Sequence, residues 1–397
     1  MQICDYKYDC TGCGACMSLC PVHCISLTQN IQGFLEPDID HVKCIGCGKC
    51  KKNCPSNVSK KQNYSIDRIE TYSFTTNHNE ILKESSSGGA FTAIAKEIIN
   101  REGIVFGAAF DENLNVVHTG IDKAEDLYRL RGSKYVQSNT QNTYSKAKEA
   151  LREGQPVLFV GTPCQIAGLY ASLEYKEYEN LYTIDLLCHG VPSTALFRSY
   201  LDYLESKYGK IVRYSFRDKT KFGWGNWGSF VYWDKNGREH KKDFVVATDY
   251  YYSLYFQECN FRESCYKCKY ASIPRIGDIT IGDCWGIENV DPDADLKNGV
   301  SLVIINNTKG KELIVSSLKN EVLKLLNTET MIKFNPTIID SSKRPGTRDT
   351  FYTDFMKYGF ENTAKRYCKL KKAIPVSRYL PIGLKRNIKK ALRKCTK

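Results

Sequence analysis

Cysteine spacing constrains this chain more than any other feature. Cys10, Cys13, Cys16 and Cys20 run C-x2-C-x2-C-x3-C with Pro21 after them. Cys44, Cys47, Cys50 and Cys54 repeat the run 34 residues later, with Pro55 after them. Three cysteines at this spacing wrap one corner of a cubane iron–sulfur cluster, and the fourth reaches across to the other cluster. The pattern predicts two [4Fe-4S] clusters: one on Cys10, Cys13, Cys16 and Cys54, the other on Cys44, Cys47, Cys50 and Cys20. Gly12, Gly14, Gly46 and Gly48 suit loops whose backbone must curl closely around sulfide. Zinc, the main rival, is usually bound by two C-x-x-C pairs with a longer spacer and not by triplets each followed by Cys-Pro. A disulfide framework is the other rival. The repeated run implies electron transfer.

The chain has 397 residues, room for two or three domains and a sizeable core. No apolar run approaches the roughly 18 residues of a membrane span. The first residues, MQICDYKYDC, show no basic region followed by an apolar one, so no signal peptide is expected. Eighteen cysteines without an export signal point to metal ligation in a cytoplasmic, oxygen-poor setting. The net charge of +13 is concentrated at one end. Residues 343–397 hold 17 Lys/Arg against 3 Asp/Glu, and the other 342 residues hold 40 against 41. A neutral body with a basic end is a poor footprint for nucleic-acid binding, so no such partner is expected.

Residues 1–57 read as a ferredoxin-type module, followed by the polar stretch SNVSKKQNYS as a linker. From about residue 70 to 340, strand and helix patterns alternate. SSSGGAFTAIAKEIINREG reads as a glycine turn feeding a helix, GIVFGAAFD as a buried strand, and YSKAKEALREG as a helix ended by Gly154. PVLFV, LYTIDLL, IVRYSF, GSFVYWD, DITIGD and VSLVIINN read as strands. Asn236-Gly237 signals a hairpin. Ser193 is a predicted N-cap for STALFRSYLDYLESKYG, and KELIVSSLKNEVLKLL reads as an amphipathic helix. The expected fold class is α+β: a small two-cluster module, a mixed α/β core and a basic helical tail over 343–397.

A second cysteine set lies in the core. Cys265 and Cys268 form a C-x-x-C, which alone suits a redox dithiol, half a zinc site or half an iron–sulfur site. Cys164 follows a strand at a predicted helix N-terminus, where the dipole favours thiolate. Cys188 follows the next strand. If those strands are parallel, both loops open on one sheet edge, and four thiols can converge with the C-x-x-C pair. Inert core cysteines, or Cys164 as a lone nucleophile, remain open on spacing alone.

The motifs SSGGA, RGSKYVQS, VGTPCQIAGL, DLLCHG, SCYKCKYA and DITIGDCWG, in this order over residues 1–305, resemble the beta subunit family of coenzyme F-420 (deazaflavin) hydrogenases and dehydrogenases. The resemblance implies an iron–sulfur flavoprotein oxidoreductase. Electrons would pass from a ferredoxin-like donor through [4Fe-4S] clusters to FAD and on to an organic substrate of unspecified identity. It implies a third [4Fe-4S] cluster on Cys164, Cys188, Cys265 and Cys268, with Cys259 and Cys284 as alternatives. It also implies flavin contacts from Ser87, Gly88, Gly89, Ser133, Lys134 and Tyr135, and an anion contact from Arg275. Lys134 and His189 become candidate catalytic residues, and Trp224 and Trp227 candidate pocket walls. The alternative is a non-catalytic electron-transfer subunit of a larger complex. Residues 382–395 place Leu384, Ile388 and Leu392 on one helical face among six Lys/Arg, a pattern suited to an anionic membrane surface or an acidic partner.

Overall fold

The computed structural model describes residues 2–58, 69–319 and 321–373. Among these, the strands form three sheets. The cysteine-rich module holds the smallest, an antiparallel pair of β1 (Ile25–Gln29) and β2 (Leu35–Ile39) lying between the two cysteine runs.

The largest sheet combines β3 (Glu70–Phe74), β4 (Ile104–Phe110), β5 (Val116–Ile121), β6 (Val157–Gly161) and β7 (Leu181–Leu186) with three later strands. A separate meander precedes those three in the chain: β8 (Lys210–Ser215), β9 (Trp227–Trp233) and β10 (Glu239–Val245). Then follow β11 (Ile279–Asp283), β12 (Ser301–Ile305) and β13 (Leu323–Leu326). The large-sheet order is β13-β3-β12-β11-β7-β6-β4-β5, and β4, β6, β7 and β11 are mutually parallel neighbours. Parallel neighbours need crossovers, and helices cover both faces. Ile94, Ile98, Leu313 and Ile314 pack on one face of the sheet, and Tyr144, Ala147, Ile166 and Leu169 on the other. β6 is therefore buried along its whole length.

The meander β8–β10 packs with helices Thr194–Tyr208, Tyr250–Phe256 and Arg348–Tyr367 around an aromatic core that includes Phe197, Tyr200, Phe216, Tyr251 and Tyr352. Ser193 accepts a hydrogen bond from Leu196 N at 3.2 Å, as its N-cap reading requires. Gly237 turns β9 into β10 with φ of 73°.

Two expectations are corrected. KELIVSSLKNEVLKLL is not one helix: the helix is Thr308–Ser317, and Leu323–Leu326 pairs antiparallel with β3 at the sheet edge. Its apolar residues keep a helical period past Leu318, at Val322 and Leu325, but pairing with β3's free edge satisfies the backbone of Leu323–Leu326 instead. The basic tail does not begin at 343. Arg348–Tyr367 is a helix, broken at Gly359, whose Phe351, Tyr352, Phe360 and Ala364 enter the aromatic core. The amphipathic stretch 382–395 lies outside the described residues. Among the described residues, no helix is long and apolar enough to cross a membrane.

Candidate functional site

The two cysteine runs each curl through a glycine in the left-handed region before a short helix. Gly14 (φ 80°) precedes Ala15–Leu19, and Gly48 (φ 70°) precedes Lys49–Lys52. The structure brings Cys10, Cys13, Cys16 and Cys54 together. Each of Cys13, Cys10 and Cys54 acts electrostatically on Cys16, and Cys54 acts on Cys10. With Cys4, they line a cavity of about 160 Å³. Cys20, Cys44, Cys47 and Cys50 line a second, of about 20 Å³, together with Cys24. The crossed grouping is the one that the spacing predicts. Among the described residues, no three His, Cys, Asp or Glu side chains are placed to hold one metal ion. The thiols instead ring cavities, which suits a cluster whose irons each take a different thiolate. Burial pushes the Cys13 thiol up to about 12, so it keeps its proton near neutrality until a metal displaces it.

The core set is built on the parallel sheet. β6 and β7 run parallel, so the segments after them leave from one edge. Cys164 is the second residue of helix Pro163–Ser172, whose start is fixed by a capping box between Thr162 and Gln165. Cys188 follows β7, and Cys265 and Cys268 sit on and just after the short 3-10 turn Glu263–Lys267. Cys188 and Cys268 act on Cys164, Cys265 and Cys268 act on Cys188, and Cys164 and Cys268 act on Cys265. All four predicted thiols are thus neighbours. Burial pushes the Cys164 thiol up. Cys259 is elsewhere, with Cys368 as its thiol neighbour and Leu254 O as its acceptor. Cys284 is fully buried in the apolar cluster of Ile287, Val300 and Met331.

The module is seated directly on this core. Thr140 Oγ1 donates to Cys13 O at 3.0 Å, and Arg262 Nη1 donates to Cys10 O at 3.0 Å. Gly168 lies one turn after Cys164 on the same helix. A Cβ there would stand 3.2 Å from Cys13 Sγ and 2.7 Å from Tyr144 Oη. Glycine at this position lets the first thiol set approach the helix that carries Cys164, and Cys13 does act electrostatically on Cys164.

Arg275, expected to contact an anion, is used otherwise. Its guanidinium is buried, with Nε and Nη2 on Asp185 Oδ1 at 3.2 and 2.8 Å. Nη2 also donates to Leu186 O, and Nη1 to Tyr270 O and Ile338 O. All five N–H groups are spent inside the protein, tying the end of β7 to the chain just after Cys268.

The predicted flavin-contacting segments also meet. Ser133 donates through its N–H and its hydroxyl to Ser86 Oγ, at 2.8 and 3.0 Å. Gly88 packs so tightly on β3 that a Cβ would fall 2.0 Å from Phe74 O. Ser87 bonds Val300 O, and Gly89 (φ 90°) caps helix Ala90–Asn100. Lys134 does not point its ammonium at this loop. It donates to the carbonyls of Arg129, Leu130 and Arg131, capping a short helix, and burial brings it down to about 7.

Arg217, Lys219 and Asp283 complete this wall, and none of them is singled out by the sequence. Arg217 pairs with Asp283 at 2.5 Å and donates to Tyr135 Oη at 3.1 Å and to Ser86 O. Lys219 donates to Ser87 O at 2.9 Å and to Asn298 O, and burial holds it down at about 8. The available signal was the RDK triplet (217–219) after a strand, opposite GDCWG. Trp224 does join the wall: it donates to Asp283 Oδ1 at 2.7 Å and stacks on Trp285 at 4.7 Å. Trp227 packs on Phe222 in the meander and is not part of it. His189 pairs with Glu258 at 3.0 Å and lies 5.7 Å from the Tyr255 ring, which stacks on Tyr135 at 4.7 Å. This aromatic line joins the Cys188 loop to the serine–glycine wall.

Residues 9–58 match the family model of the 4Fe-4S dicluster domain. Residues 154–330 match the model for the C terminus of the coenzyme F420 hydrogenase/dehydrogenase beta subunit. The chain thus carries an N-terminal segment that matches an iron–sulfur dicluster domain and a later segment that matches the C terminus of the coenzyme F420 hydrogenase/dehydrogenase beta subunit. Among solved structures it is similar to a chain of the F420-reducing [NiFe] hydrogenase complex from Methanosarcina barkeri. Identity there is 18% and the TM-score 0.43, over 76% of this chain and 91% of that one. No protein of curated function matches.

Proposed function

We propose that this chain is an iron–sulfur flavoprotein oxidoreductase that carries electrons between a ferredoxin-like protein and an organic substrate in the cytoplasm. Residues 1–57 form the dicluster module, and residues 70–340, joined by helix Arg348–Tyr367, the core. In the core, Cys164, Cys188, Cys265 and Cys268 would hold a third [4Fe-4S] cluster, and Ser87–Gly89 and Ser133–Tyr135 would contact FAD. When bound, the clusters supply one-electron steps and the flavin joins them into two-electron chemistry. The chain's own residues set the spacing. The observation that supports the reading is a line of neighbouring groups: Cys13 against Gly168, Cys164 one turn earlier, Cys188 in its electrostatic neighbourhood and in that of Tyr255, and Tyr255 stacked on Tyr135. His189, held by Glu258, is the residue suited to hand a proton to a substrate. Lys134 acts by fixing the segment before Tyr135, and Arg275 by fixing the loops of Cys188 and Cys268.

Anaerobic purification should yield about twelve iron and about twelve sulfide per chain, three cubanes, with about one FAD. About eight iron and no flavin would remove the core cluster and the flavin together. That result would favour a second reading, a relay subunit of a larger complex, which the beta-subunit match of residues 154–330 also suits.

Lys219→Met tests the flavin wall. It removes a charged donor that ties Ser87 O to Asn298 O. Hydrogen bonds from charged groups contribute about 1.5–3 kcal/mol, so FAD affinity of the deflavinated chain should fall by roughly ten- to a hundredfold. Unchanged affinity in an FAD titration would place the flavin elsewhere.

A further inference from the structure

Cys4 and Cys24 belong to neither cysteine run, yet both are buried and each faces one of the two thiol-lined cavities. Their partners are equivalent. Cys24 Sγ lies 3.4 Å from Cys20 Sγ, and the Cys24 N–H points at the same sulfur from 3.4 Å. Cys4 lines the same cavity as Cys54, and Cys54 is the foremost influence holding the Cys4 thiol up. Cys20 and Cys54 hold the same place in their runs: the fourth cysteine, followed by proline, that crosses to the other cluster. Cys24 also reaches Cys44, and Cys4 lies near Cys10 and Ser56.

The duplication does not explain this symmetry. Shifted by the 34-residue repeat, Cys4 falls on Asp38 and Cys24 on Val58. The two extra thiols enter from different sides of their runs, one six residues before Cys10 and one four residues after Cys20, and arrive at the same chemical position. A thiol packed among apolar residues needs no such partner, because a buried cysteine is readily accommodated as a small hydrophobe. Placement against a ligand sulfur, twice and by unrelated routes, is what a hydrogen-bond donor requires. Hydrogen bonds to cluster sulfurs withdraw electron density and raise the potential.

We propose that Cys4 and Cys24 are positioning residues that donate S–H hydrogen bonds to Cys54 and Cys20, each raising the reduction potential of the cluster that its partner serves. The inference rests on the reading of Cys54 and Cys20 as ligands. It assigns the two extra thiols a part in ordering the potentials along the relay.

The test uses the full chain, purified anaerobically, as Cys4→Ala, Cys24→Ala and Cys24→Ser. Iron content and a potentiometric titration followed by electron paramagnetic resonance are the readouts. The expected result is full iron in all three. One cluster shifts to lower potential in Cys4→Ala, the other does so in Cys24→Ala, and Cys24→Ser, which keeps a donor, stays near the parent value. Full iron with unshifted potentials would overturn the proposal and leave the ligand reading intact. Loss of iron in Cys24→Ala would make Cys24 a ligand and overturn both the proposal and the reading of Cys20 as the fourth ligand.

Discussion

Arg275→Met should destabilise the chain by about 3–5 kcal/mol and strip iron from the core thiol set while leaving the dicluster module loaded. The size follows from what is left behind. Asp185 is fully buried and would keep only the Gly277 N–H, at 2.9 Å, of the donors that face it. Removing one partner of a buried pair strands the other charge, which costs more than the pair itself contributes. The iron loss follows from geometry. Arg275 also ties Leu186 O, just before Cys188, to Tyr270 O, just after Cys268, and to Ile338 O. The double variant Arg275→Met with Asp185→Leu separates the two effects. It removes the stranded charge, so most of the stability should return. The carbonyl ties stay missing, so the core iron should not. Denaturant unfolding and iron content read the two effects independently. Recovery of both would show that Arg275 acts only through its ion pair.

What the sequence made legible here was local. The grouping of Cys10, Cys13 and Cys16 with Cys54 around one cavity could be read because three of these cysteines sit within seven residues. Cys164 and Cys188 could be placed on one edge because the pattern of β6 and β7, each followed by a turn and a helix, implies parallel strands. Arg217 with Asp283, and Lys219 with Ser87, could not be read. They join segments more than sixty and more than a hundred residues apart in sequence, and a lysine or arginine after a strand looks like any surface cation. Arg275 was placed at the site but given the wrong partner, since nothing in PRIGDIT shows that Asp185 waits across the sheet. Leu323–Leu326 was misread because a short apolar run fits both periods, and only the free edge of β3 decides between them. The Arg348–Tyr367 helix reads as tail because the stretch 343–397 around it is strongly basic, while Phe351, Tyr352, Phe360 and Ala364, which anchor it in the aromatic core, are spaced along a helix kinked at Gly359.

Gly168→Val tests the junction between module and core, and its sign is informative. In a helix interior, valine is the better helix former by a few tenths of a kcal/mol, so Pro163–Ser172 itself should gain slightly. The surroundings should lose more. The added Cβ alone falls 2.7 Å from Tyr144 Oη, 3.0 Å from Cys13 Cβ and 3.2 Å from its sulfur, and two further methyl groups follow. Tyr144 is fully buried and bonds Gln165 O at 2.9 Å, so it has little room to yield. Overpacking of this kind costs about 1–3 kcal/mol, and the least costly relief is to lift the module off the helix. The expected outcome is a lower Tm, full iron in every cluster, and slower electron transfer from the module to the core in stopped-flow reduction. Gly346→Ala, where a Cβ meets nothing within 4 Å, is the control and should leave both readouts alone. Normal transfer rates in Gly168→Val would mean that electrons reach the core by a path that does not run past Cys13. A lower Tm with lost iron would mean that the glycine serves cluster binding and not the approach of two thiol sets.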